Sequence, residues 1–191
     1  MTSIRRLAIP ELMEIVPSKF DDERGFFSEV FNHAELACEG IEIAWVQDNH
    51  AYSALPGTVR GLHFQIPPFA QNKLVRVTRG AILDVAVDLR RGSRTYGTSV
   101  TLELSAEAWN QLLVPIGFAH GYMTLEPDTE VLYKVSAHWS AEHERTLRWN
   151  DPDLAIPWPD PGVEVTLSEK DSDALFLREI DSPFRSDEMA G

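Results

Sequence analysis

The chain is built from short runs in which apolar and polar residues alternate, each cut off within a few positions by Gly, Pro or clustered charges. A period of two sends successive side chains to opposite faces, so these runs read as strands with one apolar face. In 82–89, Leu83, Val85, Val87 and Leu89 share a face, Asp84 and Asp88 take the other, and Arg90-Arg91-Gly92-Ser93 ends the strand. Val100, Leu102 and Leu104 alternate with Ser99, Thr101 and Glu103, residues 112–114 lead into a Pro-x-Gly turn, and Val131, Tyr133 and Val135 share a face. Helix signals are short: 33–38, a possible turn at 105–109, and a C-terminal helix at 174–177 after the Ser/Asp-rich stretch 168–173. Many short strands with few helices imply an all-β sandwich or barrel, and a small barrel with a polar mouth can hold a ligand.

A length of 191 residues fits one domain, expected over 1–185, with 186–191 reading as a disordered tail. No apolar run approaches the roughly 20 residues needed to cross a bilayer, and residues 1–10 lack the apolar stretch of a signal peptide. With a single Cys38 and no internal disulfide possible, a cytoplasmic protein is expected. The net charge of −13 argues against a nucleic-acid partner, since no broad basic surface is available to replace counterions. It leaves room for a small anion held by a few focused Arg and Lys residues.

The densest polar cluster is Arg60-Gly61-Leu62-His63-Phe64-Gln65, followed by Pro67-Pro68 and Gln71-Asn72-Lys73. A lone strand His is usually a hydrogen-bonded core residue, but Arg60 and Lys73 close by would be costly to bury without an anion. Strict alternation separates Arg60 from His63, so grouping them requires a bulge, which Gly61 can supply. Pro115-Ile116-Gly117-Phe118-Ala119-His120-Gly121 has the Pro-x-Gly-x-x-His spacing of the second cupin motif and would turn His120 into a barrel. The first cupin motif would supply further metal ligands, but Gln65 stands where its second His belongs and no Glu follows at the expected spacing. Two imidazoles are too few for a secure site, so no metal and no cofactor are expected. Tyr133, on an apolar face, is either a core residue or a cavity group, and Lys170-Asp171 either a solvated turn or part of a site.

Together these segments resemble the dTDP-4-dehydrorhamnose 3,5-epimerase family. The landmarks are Asp22-Glu23-Arg24-Gly25-Phe26-Phe27, Gln47-Asp48-Asn49-His50, Arg60-Gly61-Leu62-His63, Lys73-Leu74-Val75-Arg76-Val77, the 84–90 strand, Pro115 to Gly121, Leu132-Tyr133-Lys134, Arg148-Trp149-Asn150-Asp151-Pro152 and Leu167-Ser168-x-Lys170-Asp171. The resemblance implies a cupin-type jelly-roll β-barrel with a few short peripheral helices, in a homodimer that exchanges N-terminal strands. It implies dTDP-4-keto-6-deoxy-D-glucose as substrate, with His63 as base, Asp171 as its carboxylate partner, Tyr133 as acid on the opposite face and Lys73 beside the ketone oxygen. Arg60, His120, Gln47, Asp48, Asn49, Glu144 and Lys170 would surround the substrate; Arg24, Phe27 and Glu29 would add N-terminal contacts, some across the dimer. Trp139 would flank the site, and there the chain departs from the family: His138-Trp139 stands where two aromatic residues, often Tyr-Tyr, are usual. The rival readings are a single-site epimerase, a ketoisomerase, a metal-dependent cupin enzyme and a non-catalytic nucleotide-sugar binder.

Overall fold

The computed structural model describes residues 2–187. Thirteen strands run through them: β1 (Ser3–Arg6), β2 (Met13–Val16), β3 (Lys19–Asp22), β4 (Gly25–Ser28), β5 (Gln47–Ser53), β6 (Val59–Gln65), β7 (Lys73–Arg79), β8 (Ala81–Asp88), β9 (Ser99–Ser105), β10 (Gln111–Val114), β11 (Phe118–Thr124), β12 (Thr129–Val135) and β13 (Glu144–Thr146). One sheet has the order β1-β2-β10-β7-β12-β5, the other β13-β6-β11-β8-β9, while β3 and β4 form a separate hairpin. All these pairs are antiparallel, and the two larger sheets face each other as a cupin-type jelly roll; the alternation implied a sandwich or barrel, and the resemblance this particular form.

Three apolar clusters hold the layers. Between the sheets, Val75, Val77, Leu112 and Val131 meet Ile82, Ala86, Leu104 and Phe118. On the outer side of the five-stranded sheet, Leu62, Phe64, Val85, Val87 and Leu89 are covered by the returning C-terminal segment through Leu154 and Phe184. Outside the six-stranded sheet, Ile15, Leu74 and Leu113 pack on Leu36 and Ile41, carried by α1 (His33–Cys38) and the turn after it. Each such side chain contributes roughly 1.5–3 kcal/mol on burial.

The two faces of β8 separate as the alternation predicts, but neither meets water. The apolar face lies under the C-terminal segment; Asp84 and Asp88, fully buried, stand on the side that faces the other sheet. A buried carboxylate needs partners. Asp88 accepts from Arg90 Nε and Nη2 (both 2.9 Å), Ser93 Oγ (2.8 Å) and Thr95 Oγ1 (2.7 Å), and Arg90 also pairs with Glu11. The charged end of the strand is thus a closed hydrogen-bond network.

The helix expected at 33–38 is present, capped by Asn32, and 105–109 is a turn. The C-terminal helix is displaced from its expected place. Residues 174–176 are not helical and Leu177 only opens a short 3-10 turn, Leu177–Glu179; the α-helical turn, α2 (Glu169–Ser172), forms within the polar stretch instead, because Ser168 caps it by accepting the Asp171 amide. Of the expected tail 186–191, residues 186 and 187 are described, with Ser186 donating its amide to Arg91 O (3.1 Å), and 188–191 lie outside the described residues. Among the described residues, no helix is long and apolar enough to cross a membrane.

Candidate active site

The site depends on one irregularity where β6 meets β11. His63 pairs with His120 and Arg60 with Tyr122, so three steps along β6 match two along β11. The extra residue is the bulge anticipated at Gly61, and it brings Arg60 and His63 onto the wall of one cavity. Gly61 has φ +127°, and a Cβ on it would lie 2.6 Å from Gly121 Cα; a Cβ on Gly121 would lie 2.6 Å from Arg60 O. Neither strand tolerates a side chain at this crossing.

The cavity, about 440 Å³, opens between the sheets and is lined by Arg60, His63, Lys73, His120, Tyr122, Tyr133, Trp139, Glu144, Lys170 and Asp171. A smaller lobe of about 250 Å³ shares His63, Lys73, Tyr133, Trp139 and Glu144 and adds Gln47 and Asn49. His63 comes from one sheet and Tyr133 from the other, so imidazole and phenol reach the same space from opposite walls.

His63 Nε2 lies 2.6 Å from Asp171 Oδ1, and Asp171 is buried on α2. Burial lowers the His63 pKa despite the carboxylate pulling it upward, so the ring is neutral near pH 7. In that state Nε2–H donates to Asp171, which leaves the Nδ1 lone pair as the basic site. Burial pushes the Asp171 carboxyl up, but hydrogen bonds from His63 and Ser168 and the charge of Lys170 hold it below its ordinary value.

Lys73 is buried and donates from Nζ to His63 O at 3.2 Å. Burial lowers its pKa to about 8, with Asp84 and Glu144 opposing the fall. Tyr133 is raised by burial, against the pull of Arg60, and stays protonated. His120 Nε2 is held by both oxygens of Asp84 at 2.9 and 3.0 Å, and Lys170 pairs with Glu144 at 3.0 Å on the cavity wall. Among the described residues no group of three His, Cys, Asp or Glu is placed to hold a metal ion. Gln65, in the position of a cupin ligand, instead donates to Phe69 O and His138 O and accepts from the Ser140 amide, tying down the loop that carries Trp139.

Several expected site residues lie elsewhere. Asp48 is on the opposite face of β5 from Gln47 and Asn49 and pairs with Lys134 at 2.9 Å; period-two alternation keeps it out of the cavity. Arg24, Phe27 and Glu29 sit on or next to the β3–β4 hairpin, outside this chain's cavity: Arg24 pairs with Asp22, Phe27 is 70% exposed, and Glu29 accepts from Asn32. Arg60 does line the cavity, but it is exposed rather than buried, its guanidinium held by Ser53 Oγ and Tyr52 O. Three contributors were not singled out from the sequence: Asp84 behind His120, Ser168 behind Asp171, and Tyr122, whose buried hydroxyl has no partner among the described residues. Tyr122 was within reach, because it follows His120 by two on the same strand face.

The family model described as dTDP-4-dehydrorhamnose 3,5-epimerase matches residues 6–179. A dTDP-4-dehydrorhamnose 3,5-epimerase of Sinorhizobium fredii is 55% identical over 179 residues, covering 94% of this chain and 91% of the relative. The Legionella pneumophila dTDP-6-deoxy-D-glucose-3,5-epimerase, solved with dTDP-4-keto-L-rhamnose, superposes with a TM-score of 0.90 at 42% identity, covering 95% of each chain. A 3′-monoepimerase of Streptomyces bikiniensis, solved with dTDP-quinovose, superposes at 0.84 with 32% identity over 91% of this chain and 87% of its own. Sequence match and barrel agree across nearly the whole length, and the chain belongs to the dTDP-4-dehydrorhamnose 3,5-epimerase family.

Proposed function

We propose that this protein converts dTDP-4-keto-6-deoxy-D-glucose to dTDP-4-keto-L-rhamnose by inverting C3 and C5. The observation that carries the reading is the His63–Asp171 pair facing Tyr133 across one cavity, with the Lys73 ammonium beside it. The C4 ketone acidifies both neighbouring C–H bonds. His63 takes the proton, Asp171 stabilises the imidazolium, and the electron pair moves into an enolate whose oxygen Lys73 stabilises. Tyr133 then delivers a proton to carbon from the other face, which inverts the centre. The net reaction moves no electrons between molecules and needs no redox partner.

In deuterated buffer, solvent deuterium should enter the sugar at C3 and C5, read by NMR. Replacing His63 by Ala should lower exchange by roughly 10²–10⁴-fold. Full exchange in that variant would remove His63 as the base. Tyr133→Phe should impair inversion more than exchange, and equal loss of both would argue against the division of labour.

A second reading is favoured by one comparison: the superposing 3′-monoepimerase means that the barrel alone does not fix how many centres are inverted. Trp139, 59% exposed at the cavity rim, is the local difference that could restrict the ring. Label at a single carbon would decide for the monoepimerase.

The same proposal includes a homodimer. Phe20, Phe26 and Phe27 are 62%, 52% and 70% exposed on a hairpin joined to neither large sheet among the described residues, a surface suited to a second copy bringing Arg24, Phe27 and Glu29 toward the partner's cavity. Sedimentation of the protein should give twice the chain mass, and Phe27→Glu should shift it toward monomer.

A further inference from the structure

Behind the base and its carboxylate stands a third group. Ser168 Oγ donates to Asp171 Oδ2 at 2.9 Å, while the Asp171 amide reaches Ser168 Oγ at 3.2 Å. The other carboxylate oxygen, Oδ1, faces His63 Nε2 at 2.6 Å. Each carboxylate oxygen therefore has its own hydrogen-bond donor. Ser168 also lines the cavity wall and is anchored to α2, whose single turn it caps. We infer that Ser168 is a positioning residue of the epimerase site, extending the His63–Asp171 pair into a relay whose hydroxyl fixes the carboxylate plane and so the orientation of the imidazole. The assignment rests on the function proposed above.

The physical reason is torsional. A carboxylate held at one oxygen only can swing about its final side-chain bond, and the imidazole it orients swings with it. A second short bond at the other oxygen removes that freedom, and bonds to a charged acceptor are the strong ones. The hydroxyl also stabilises the relay while it is anionic. Proton uptake takes the His63–Asp171 pair from −1 to 0, so a donor to the carboxylate favours the deprotonated, active form. Removing it raises the pH at which the pair takes up its proton. Two cations, Lys73 and Lys170, act on His63 in the same sense as Ser168, and Glu144 is paired with Lys170. None of these is altered by a substitution at 168.

Three variants separate positioning from helix capping. Ser168→Thr keeps both the capping oxygen and the donor. Ser168→Ala loses both, while Ser168→Gly loses the donor but, at an N-cap, costs far less stability than Ala. Deuterium exchange into the sugar nucleotide gives kcat and KM across pH, thermal melting gives stability, and 15N NMR follows the titration of His63 directly. Both Ala and Gly should lower kcat by about tenfold with KM little changed, move the His63 titration and the acid limb to higher pH, and be matched in activity despite unequal melting temperatures; Thr should restore the unmodified profile. Activity that instead tracks melting temperature across Ala and Gly, or a His63 titration unmoved in both, would overturn the assignment. Absence of exchange in the unmodified protein would overturn the epimerase reading, whereas an active enzyme indifferent to Ser168 would overturn this inference alone.

Discussion

At the scale of single residues, the cavity sets two titrations against each other, and the proposed chemistry needs opposite charge states from them. His63 must be neutral to accept a proton; burial lowers its pKa, so activity is lost only as pH falls below its ordinary value of about 6.5. Lys73 must be charged to stabilise an enolate, and its charge is lost as pH rises through about 8. We expect a bell-shaped kcat profile with its alkaline limb near 8; Lys73→Met should lower kcat by roughly 10²-fold and abolish that limb. An alkaline limb surviving in that variant would assign it to another group. Tyr122 makes a different prediction. Its hydroxyl is buried with no partner among the described residues, so Tyr122→Phe should raise the urea midpoint by an amount worth about 1 kcal/mol, and a fall would show that the hydroxyl is satisfied in solution. That His63, Lys73, Tyr133 and Asp171 line one cavity was legible because motif order reports which segments meet even where contacts are unknown. Asp48 was misplaced by treating a motif as a block, although alternation sends its neighbours Gln47 and Asn49 to the other face.

At the scale of elements, alternation carried most of the information and the exceptions carried the function. The strands at 82–89 and 99–105 were readable because period-two patterning survives burial of both faces, as β8 demonstrates. It gave no sign that the Asp face is the inner one, since the partners of Asp84 and Asp88 come from other segments or from the turn beyond. The helix expected at 174–177 failed for a local reason: apolar content there serves packing, whereas the Ser168 cap fixes the turn five residues earlier. The bulge at Gly61 is the element on which the site depends. Gly61→Ala would place a methyl 2.6 Å from the Gly121 Cα and demand a φ of +127° from an L side chain. Strain and overpacking together should cost roughly 2–5 kcal/mol. Urea denaturation measures the loss, and any folded fraction should lack exchange, because restoring regular pairing would turn Arg60 away from His63. A stable, active Gly61→Ala protein would show that the register shift is dispensable.

At the scale of the whole molecule, the barrel is an acidic chain whose buried carboxylates make its stability depend on pH. Asp88 is pulled up by burial, but hydrogen bonds from Arg90, Thr95 and Ser93 hold its pKa below the ordinary value, and Asp171 and Glu11 are likewise held low. The sign follows from linkage. A group whose folded pKa lies below its unfolded one contributes stability that is complete above the unfolded value, about 3.9 for Asp, and is lost as pH falls through the folded value. Above pH 5 these groups should leave stability flat, and below pH 4 it should drop as several titrate together. Asp88→Asn should remove part of that dependence and destabilise at neutral pH, since Arg90 would keep Glu11 but lose its buried partner in a network that also seats the guanidinium on the Phe118 ring at 4.7 Å. A cost of about 3–5 kcal/mol at pH 7, narrowing toward pH 3, is the expected result of denaturant titrations at several pH values. A constant gap across that range would mean that Asp88 stabilises by packing and not by charge. With a net charge of −13, self-repulsion opposes the same folded state at neutral pH, so added salt should stabilise the unmodified protein at pH 7 and lose that effect near pH 4, where the carboxylates discharge.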